Sequence, residues 1–246
     1  MKLNWHAKDI TLLLLTLVVV AFGGWAWQRY MDKRAGWTHF SVEDRLRQYD
    51  PTAGARVKAF FDAAGLQYPP ARLALLAFKT EKKLQVYAPD PAGQFRYVHE
   101  YPILAASGEV GPKLKEGDGQ VPEGIYKIES LNPNSLYHLA LRVGYPNEWD
   151  MAQARKEGRT DLGEDIMIHG ASGSVGCLAM GDPVSEDLFV LAAHTGIENI
   201  SLLIFPVDFR MRDLPRPMPS VPPWTPQLYG TLRVALAQFH EPMEAR

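Results

Sequence analysis

Ile166-Met167-Ile168-His169-Gly170-Ala171-Ser172-Gly173-Ser174-Val175-Gly176-Cys177 carries an apolar strand into a loop of small residues and ends on the one cysteine of the chain. The apolar start reads as a strand with His169 at its end, and Gly170, Gly173 and Gly176 allow a tight reversal that returns Cys177 toward that histidine. A thiol is a weak nucleophile until a base takes its proton, so a Cys and a His brought together are the minimum for acyl transfer. Gly176 also permits the close backbone approach that an oxyanion site requires. Spacing alone leaves a second reading open, in which Cys177 is an ordinary core residue and His169 an ordinary surface one.

The same β character continues on both sides. Leu73–Phe78, Lys83–Tyr87, Phe95–Tyr101, Gly124–Ser130 and Tyr137–Val143 upstream, and Ile200–Phe205 downstream, read as short strands. Turn clusters such as Pro89-Asp90-Pro91-Ala92-Gly93 separate them. Helix is expected over Ser41–Leu66, where Ser41 and Asp44 fit the Asp-containing form of a capping box and apolar residues recur at Val57, Phe60, Phe61 and Ala64. Asp50-Pro51 should split that stretch in two. Further helices are expected between Ser185 and His194 and over Gly230–Phe239. The pattern predicts a mainly β, α+β domain over residues 72–210, a helical lead-in over 37–71 and a tail over 211–246. Leu214–Pro226 holds six prolines in thirteen positions, which favours extended, irregular chain.

With 46% of 246 residues hydrophobic there is material for one packed core. Twenty-six basic against 28 acidic side chains leave a net charge of -2, without the basic excess of a nucleic-acid-binding protein. A single cysteine excludes an intramolecular disulfide and a redox cycle with a resolving thiol. It also excludes a multi-cysteine zinc site; His169 and Cys177 would need two more ligands, and His138 and His194 show no pairing motif. No metal or cofactor is therefore expected. Ile10–Trp27, within the segment 1–36, is an apolar run of 18 residues behind Lys2 and Lys8 and reads as an export signal. Ala21-Phe22-Gly23 offers a small-x-small cleavage site, and Trp25, Trp27 and Tyr30 fit an interfacial belt, so a cleaved signal peptide and a retained N-terminal membrane helix both stay open. An exported, unpaired thiol is a liability unless it has a task, and catalysis supplies one.

These residues resemble the L,D-transpeptidases of bacterial cell walls, the YkuD-type catalytic domain. The resemblance rests on His169-Gly170, on Ser174-x-Gly176-Cys177, and on Val121-Pro122-Glu123-Gly124-Ile125-Tyr126-Lys127-Ile128, which is similar to the family's T-P-x-G-x-[FY]-x-[IV] strand entry. Ser107-Gly108 through Gly111-Pro112-Lys113, Gly117-Asp118, Asn132-Pro133, Tyr137-His138-Leu139 and Gly144-Tyr145-Pro146-Asn147 resemble a closer branch, the YafK-like proteins. The similarity spans about Leu73 to Phe209. It implies a β-sandwich or barrel with flanking helices, Cys177 as nucleophile, His169 as base, and Ser174, Gly176 and Gly170 shaping the oxyanion pocket.

The resemblance also implies peptidoglycan stem peptides as substrate, a Cys177 thioester beside diaminopimelate, and a place in the periplasm or cell envelope. Two outcomes are implied: cross-linking to an amine, or hydrolysis that releases a lipoprotein from peptidoglycan. The sequence departs from the commonest family pattern, Ser-His-Gly-Cys, by carrying Val175 where the second His stands and by a short His-to-Cys loop. The alternative of another class is a catalytically idle peptidoglycan- or lipoprotein-binding module on the same fold; the presence of both His169 and Cys177 argues against it.

Gly108–Gly124, with five glycines and two prolines, is long for a loop in a compact domain and is a lid candidate or a solvated hairpin. Lys113 within it is a candidate substrate-binding residue. His138 and Arg142, on one strand and in phase, are candidates to bind a peptide carboxylate.

Overall fold

The alternation of one strand divides the interior into two cores. The computed structural model describes residues 39–240, and in it β1 (Leu73–Phe78) is buried at every position. Leu73, Leu75 and Ala77 enter one core, Ala74, Leu76 and Phe78 the other, as a period of two requires of a strand covered on both faces. β9 (Ile200–Phe205) runs parallel to β1 with Leu73 opposite Ile200 and Phe78 opposite Phe205, and it divides the same way.

β2 (Lys83–Pro89), β3 (Phe95–Pro102), β4 (Ala105–Ala106), β5 (Gly124–Ser135), β6 (His138–Val143), β7 (Met167–His169) and β8 (Leu178–Ala179) complete a nine-stranded order, β3-β2-β1-β9-β5-β6-β7-β8-β4. β5 is the pivot: Gly124–Lys127 pair with β9, and the part from Ile128 to Ser135 pairs with β6 after a register shift. The chain passes from the β3 edge to the β4 edge through Ile103 and Leu104 alone. Their N–H groups donate to Lys82 O and Ala179 O, each at 2.8 Å. The sheet therefore curls back on itself, which is the sandwich-like α+β architecture expected.

α1 (Val42–Tyr49) opens with the expected capping box of Ser41 and Asp44. At Asp50-Pro51 the helix does not stop but loosens into a π-turn, Asp50–Gly54, before α2 (Ala55–Ala64), because proline cannot supply the regular backbone donor. α3 (Glu148–Lys156) was not expected, although Asn147 and Asp150 form its capping box. α4 (Asp182–Thr195) starts three residues before Ser185, with Pro183 in its first turn, and sends Leu188, Phe189, Leu191 and Ala192 into the first core.

The tail calls for a correction. Its proline-rich part is irregular, but α5 (Thr225–Leu236) begins five residues before Gly230, with Pro226 in the first turn where its missing N–H is not needed. Leu228, Leu232 and Leu236, a stripe at intervals of four, join Tyr229 and Phe239 in the second core beneath β1, β2 and β9. The segment read as a tail thus closes the sheet's outer face. Among the described residues no helix is long and apolar enough to cross a membrane; the run Ile10–Trp27 lies outside them.

The segment Gly108–Gly124, a lid candidate or a solvated hairpin by sequence, is pinned. Lys79, buried at the end of β1, donates through Nζ to Glu109 O (2.8 Å), Gly111 O (3.2 Å), Val121 O (2.9 Å) and Glu123 Oε1 (3.0 Å). Glu123 also accepts the Gly111 N–H and the Tyr229 hydroxyl, both at 2.8 Å. Burial pushes the Lys79 ammonium down from its ordinary value, and Glu123 pulls it back up. Breaking a buried pair by removing one partner costs about 3–5 kcal/mol. Lys79→Met should therefore lower the unfolding free energy by about that amount in urea titration, whereas a loss under about 0.5 kcal/mol would mark the pair as incidental.

Candidate active site

β7 and β8 run parallel, with Ile168 opposite Leu178 and His169 opposite Ala179. Ile168 and Leu178 face the first core. Cys177 immediately precedes β8 and falls beside Met167, so strand alternation sends both its side chain and that of His169 to the face away from the core. Strand spacing and rise put their Cα atoms about 8 Å apart, a gap that a thiol and an imidazole reaching toward each other can close.

His169 is 2% exposed. Its backbone is held on both sides, by pairing with Ala140 and by the Met180 N–H on its carbonyl at 2.8 Å. Nδ1 lies 2.5 Å from Gly170 O, a contact only an N–H can make, so Nε2 carries the lone pair. Burial pushes the imidazole below its ordinary value, with the Gly170 carbonyl opposing. Gly170 must be glycine here: a Cβ would stand 2.6 Å from Asp182 Oδ1 and 2.7 Å from Tyr137 O.

The loop that leads into Cys177 is fixed by a chain of donors. The Gly176 N–H donates to Ser107 Oγ (2.6 Å), Ser107 Oγ lies 3.2 Å from Ser174 Oγ, and Ser174 Oγ donates to Cys177 O (2.6 Å). The Ser174 hydroxyl proton is thus committed, and the Ser107 hydroxyl is the donor between the two serines. Gly176 adopts φ +93°, open to glycine at no steric cost. Its N–H is occupied by Ser107 Oγ.

Cys177 is partly exposed, and its Sγ lies 3.7 Å from Asp165 O; among the described residues it makes no hydrogen bond to His169. Burial pushes the thiol up from its ordinary value; the Met167 backbone and the Lys113 charge pull it down, and Asp165 pushes it up. Both members of the pair are thereby biased toward their neutral forms, thiol and imidazole.

Other named residues take different places. Lys113 is buried, donating to Lys115 O (2.9 Å) and Asp118 Oδ1 (2.8 Å), and reaches the site through its charge. Arg142 is occupied by Glu129, Glu164 and Asp165 and so steadies the segment whose Asp165 carbonyl meets the thiol. His138 pairs with Glu186 at 3.0 Å and lies edge-on to Tyr49. A groove of about 610 Å³ runs along that Asp165 segment, with Glu116, Asp161, Glu164 and Met151 in its walls. Ser107, Asp165 and Asp182 were not singled out in sequence. Ser107 sits in a motif that resembles the YafK-like branch, but nothing local announces a partner 67 residues away.

The model of the L,D-transpeptidase catalytic domain, YkuD, matches residues 74–198. Over 141 residues the chain is 33% identical to YafK of Escherichia coli (strain K12), provisionally named an L,D-transpeptidase, covering 55% of this chain and 54% of that protein. It thus spans about half the length of the curated relatives it matches. Among solved structures, the helical cell shape determining protein Pgp2 from Campylobacter jejuni is 26% identical with a TM-score of 0.46, over 56% of this chain and 48% of that one. Bd1075 from Bdellovibrio bacteriovorus is 25% identical with a TM-score of 0.40, over 55% and 48%. The matched segment, from β1 to the turn after α4, takes in His169, Cys177 and the serines that fix the loop leading into Cys177, and the chain belongs to the YkuD family of L,D-transpeptidase catalytic domains.

Proposed function

We propose that the protein is a cell-envelope cysteine acyltransferase that forms a thioester between Cys177 and a peptidoglycan stem peptide, at the bond next to diaminopimelate. The observation that carries this reading is the register of β7 on β8, which sets a fixed Nδ1–H tautomer of His169 beside the chain's only thiol. His169 Nε2 takes the thiol proton as Sγ attacks the carbonyl carbon. The C–N bond then breaks and the imidazolium returns that proton to the leaving amine. An amine acceptor gives a cross-link; water gives hydrolysis. Ser174, Gly176 and Gly170 act by holding the two reacting side chains, and the carboxylates along the Asp165 groove suit a substrate that carries a free amino group. The export reading of Ile10–Trp27 agrees with a substrate outside the cytoplasm.

Hydrolysis that frees a lipoprotein from peptidoglycan is the second reading, and Val175 favours it. At 84% exposed it walls nothing off, so the loop leaves the thioester open to water. A lipoprotein-linked muropeptide offered alone and then with excess acceptor tetrapeptide separates the two. Release at a rate indifferent to acceptor means hydrolysis; products that form only with acceptor, and carry it, mean transpeptidation. Cys177→Ala should abolish both products in mass spectrometry, and wild-type turnover by that variant would sink the proposal.

The neutral resting pair sets a pH dependence. His169 accepts a proton only when unprotonated, and its value lies below 6.5, so kcat/KM should rise through an acid limb under that pH and stay level through neutrality. Burial pushes the Cys177 thiol above the ordinary thiol range, so alkylation by iodoacetamide should still be rising at pH 9. An alkylation plateau reached below pH 7 would show a preformed thiolate–imidazolium pair instead.

A further inference from the structure

The turn between β5 and β6 breaks the usual chemistry of a hairpin. Ser135 pairs with His138, so the tip is Leu136-Tyr137, where glycine, asparagine or aspartate is the ordinary choice. Leu136 is 81% exposed and Tyr137 52%. The left-handed backbone that such a tip demands falls on His138, with φ +73°, a conformation that a non-glycine residue holds only when its surroundings fix it. They do: Glu186 bonds the His138 ring, Tyr49 packs its edge, and Ser135 Oγ accepts the Tyr137 N–H at 3.0 Å. Local rules broken under such constraint mark places where another requirement prevails.

The requirement is visible one layer away. The tip lies directly on Gly170, where a Cβ would meet Tyr137 O at 2.7 Å and His138 Cβ at 2.9 Å. Gly170 is the residue whose carbonyl binds Nδ1 of His169. From the same tip the Tyr137 ring packs on the His169 ring, with centroids 4.8 Å apart and planes at 32°.

We propose that Tyr137 is a positioning residue for His169, whose ring packs on the imidazole and keeps Nε2 directed at the thiol. The inference rests on the reading of His169 as base. One ring nitrogen is tied by the Gly170 carbonyl, which leaves a swing about that bond; the Tyr137 ring closes the side toward which the imidazole would swing and keeps water off it. The ionisable groups around this point are Asp182 against Gly170 and Ala171, the His138–Glu186 pair behind the tip, and Asp165 and Lys113 on the thiol side. Replacing the ring by water changes none of them directly.

The test compares wild type, Tyr137→Phe and Tyr137→Ala by NMR titration of the histidine rings and by kcat and KM on muropeptides. Circular dichroism checks folding, which a half-exposed turn residue should not disturb. Tyr137→Ala should move the His169 titration upward by about half a pH unit, carry the acid limb with it, and lower kcat roughly tenfold with little change in KM. Tyr137→Phe should keep all three. A Tyr137→Ala protein whose His169 titrates as in wild type overturns the proposal, as does a Tyr137→Phe protein that behaves like Tyr137→Ala, since the hydroxyl and not the ring would then be acting. The titration needs no substrate, so a wild-type protein that leaves muropeptides untouched would sink the proposed reaction while the packing of Tyr137 on His169 is still decided.

Discussion

One buried ammonium ties the sheet to the site. Lys79 at the end of β1 gathers three carbonyls of the segment between β4 and β5 and one carboxylate at the start of β5. A segment of that length would be mobile if left to its glycines. Held by Lys79, and by the Gln120 and Asp118 side chains that bond its turns internally, it becomes a rigid wall. Ser107, which anchors the loop leading into Cys177, stands at its head. Tyr229 of α5 completes the shell of Glu123, so the C-terminal helix and the wall that starts at Ser107 share one buried polar knot. Such networks rigidify when every member is satisfied, and here each acceptor is.

Rigidity matters because the reacting pair is not held by its own attraction. An ion pair of thiolate and imidazolium would orient itself. Here burial disfavours charge on both partners, so only their strands and loops set the two neutral side chains near each other. Two strands in register, a carbonyl on Nδ1 and a serine relay replace the electrostatic attraction. A neutral thiol at rest also resists oxidation.

The strands were legible because β1 is uniformly apolar, β9 is apolar at every position but Ser201, and both end in turn residues, and the His-to-Cys stretch because residue type and spacing carry chemistry. β4 and β8 were not, since two residues show no period. Helix α3 was signalled by its Asn147–Asp150 cap yet obscured by weak amphipathicity, and the prolines hid only the first five residues of α5, whose remainder falls in the helix expected over Gly230–Phe239. The partners of the candidate substrate residues were not legible for a different reason. The charge of Arg142 and the imidazole of His138 are visible in sequence, but the carboxylates that occupy them, Glu164, Asp165 and Glu186, come from other elements. A charged side chain read alone looks free.

That occupancy bears on what the site can recognise. With Arg142 and Lys113 already neutralised by carboxylates, the surroundings of Cys177 offer few unpaired cations to a peptide carboxylate, and the groove along Asp165 is acidic. Such a face suits a cationic group better than a carboxylate. The same carboxylates would oppose a thiolate, which is consistent with a thiol that loses its proton only as it attacks. The acidic groove and the neutral resting state of Cys177 thus share one distribution of charge, set by where the segment before β7 folds back across β6.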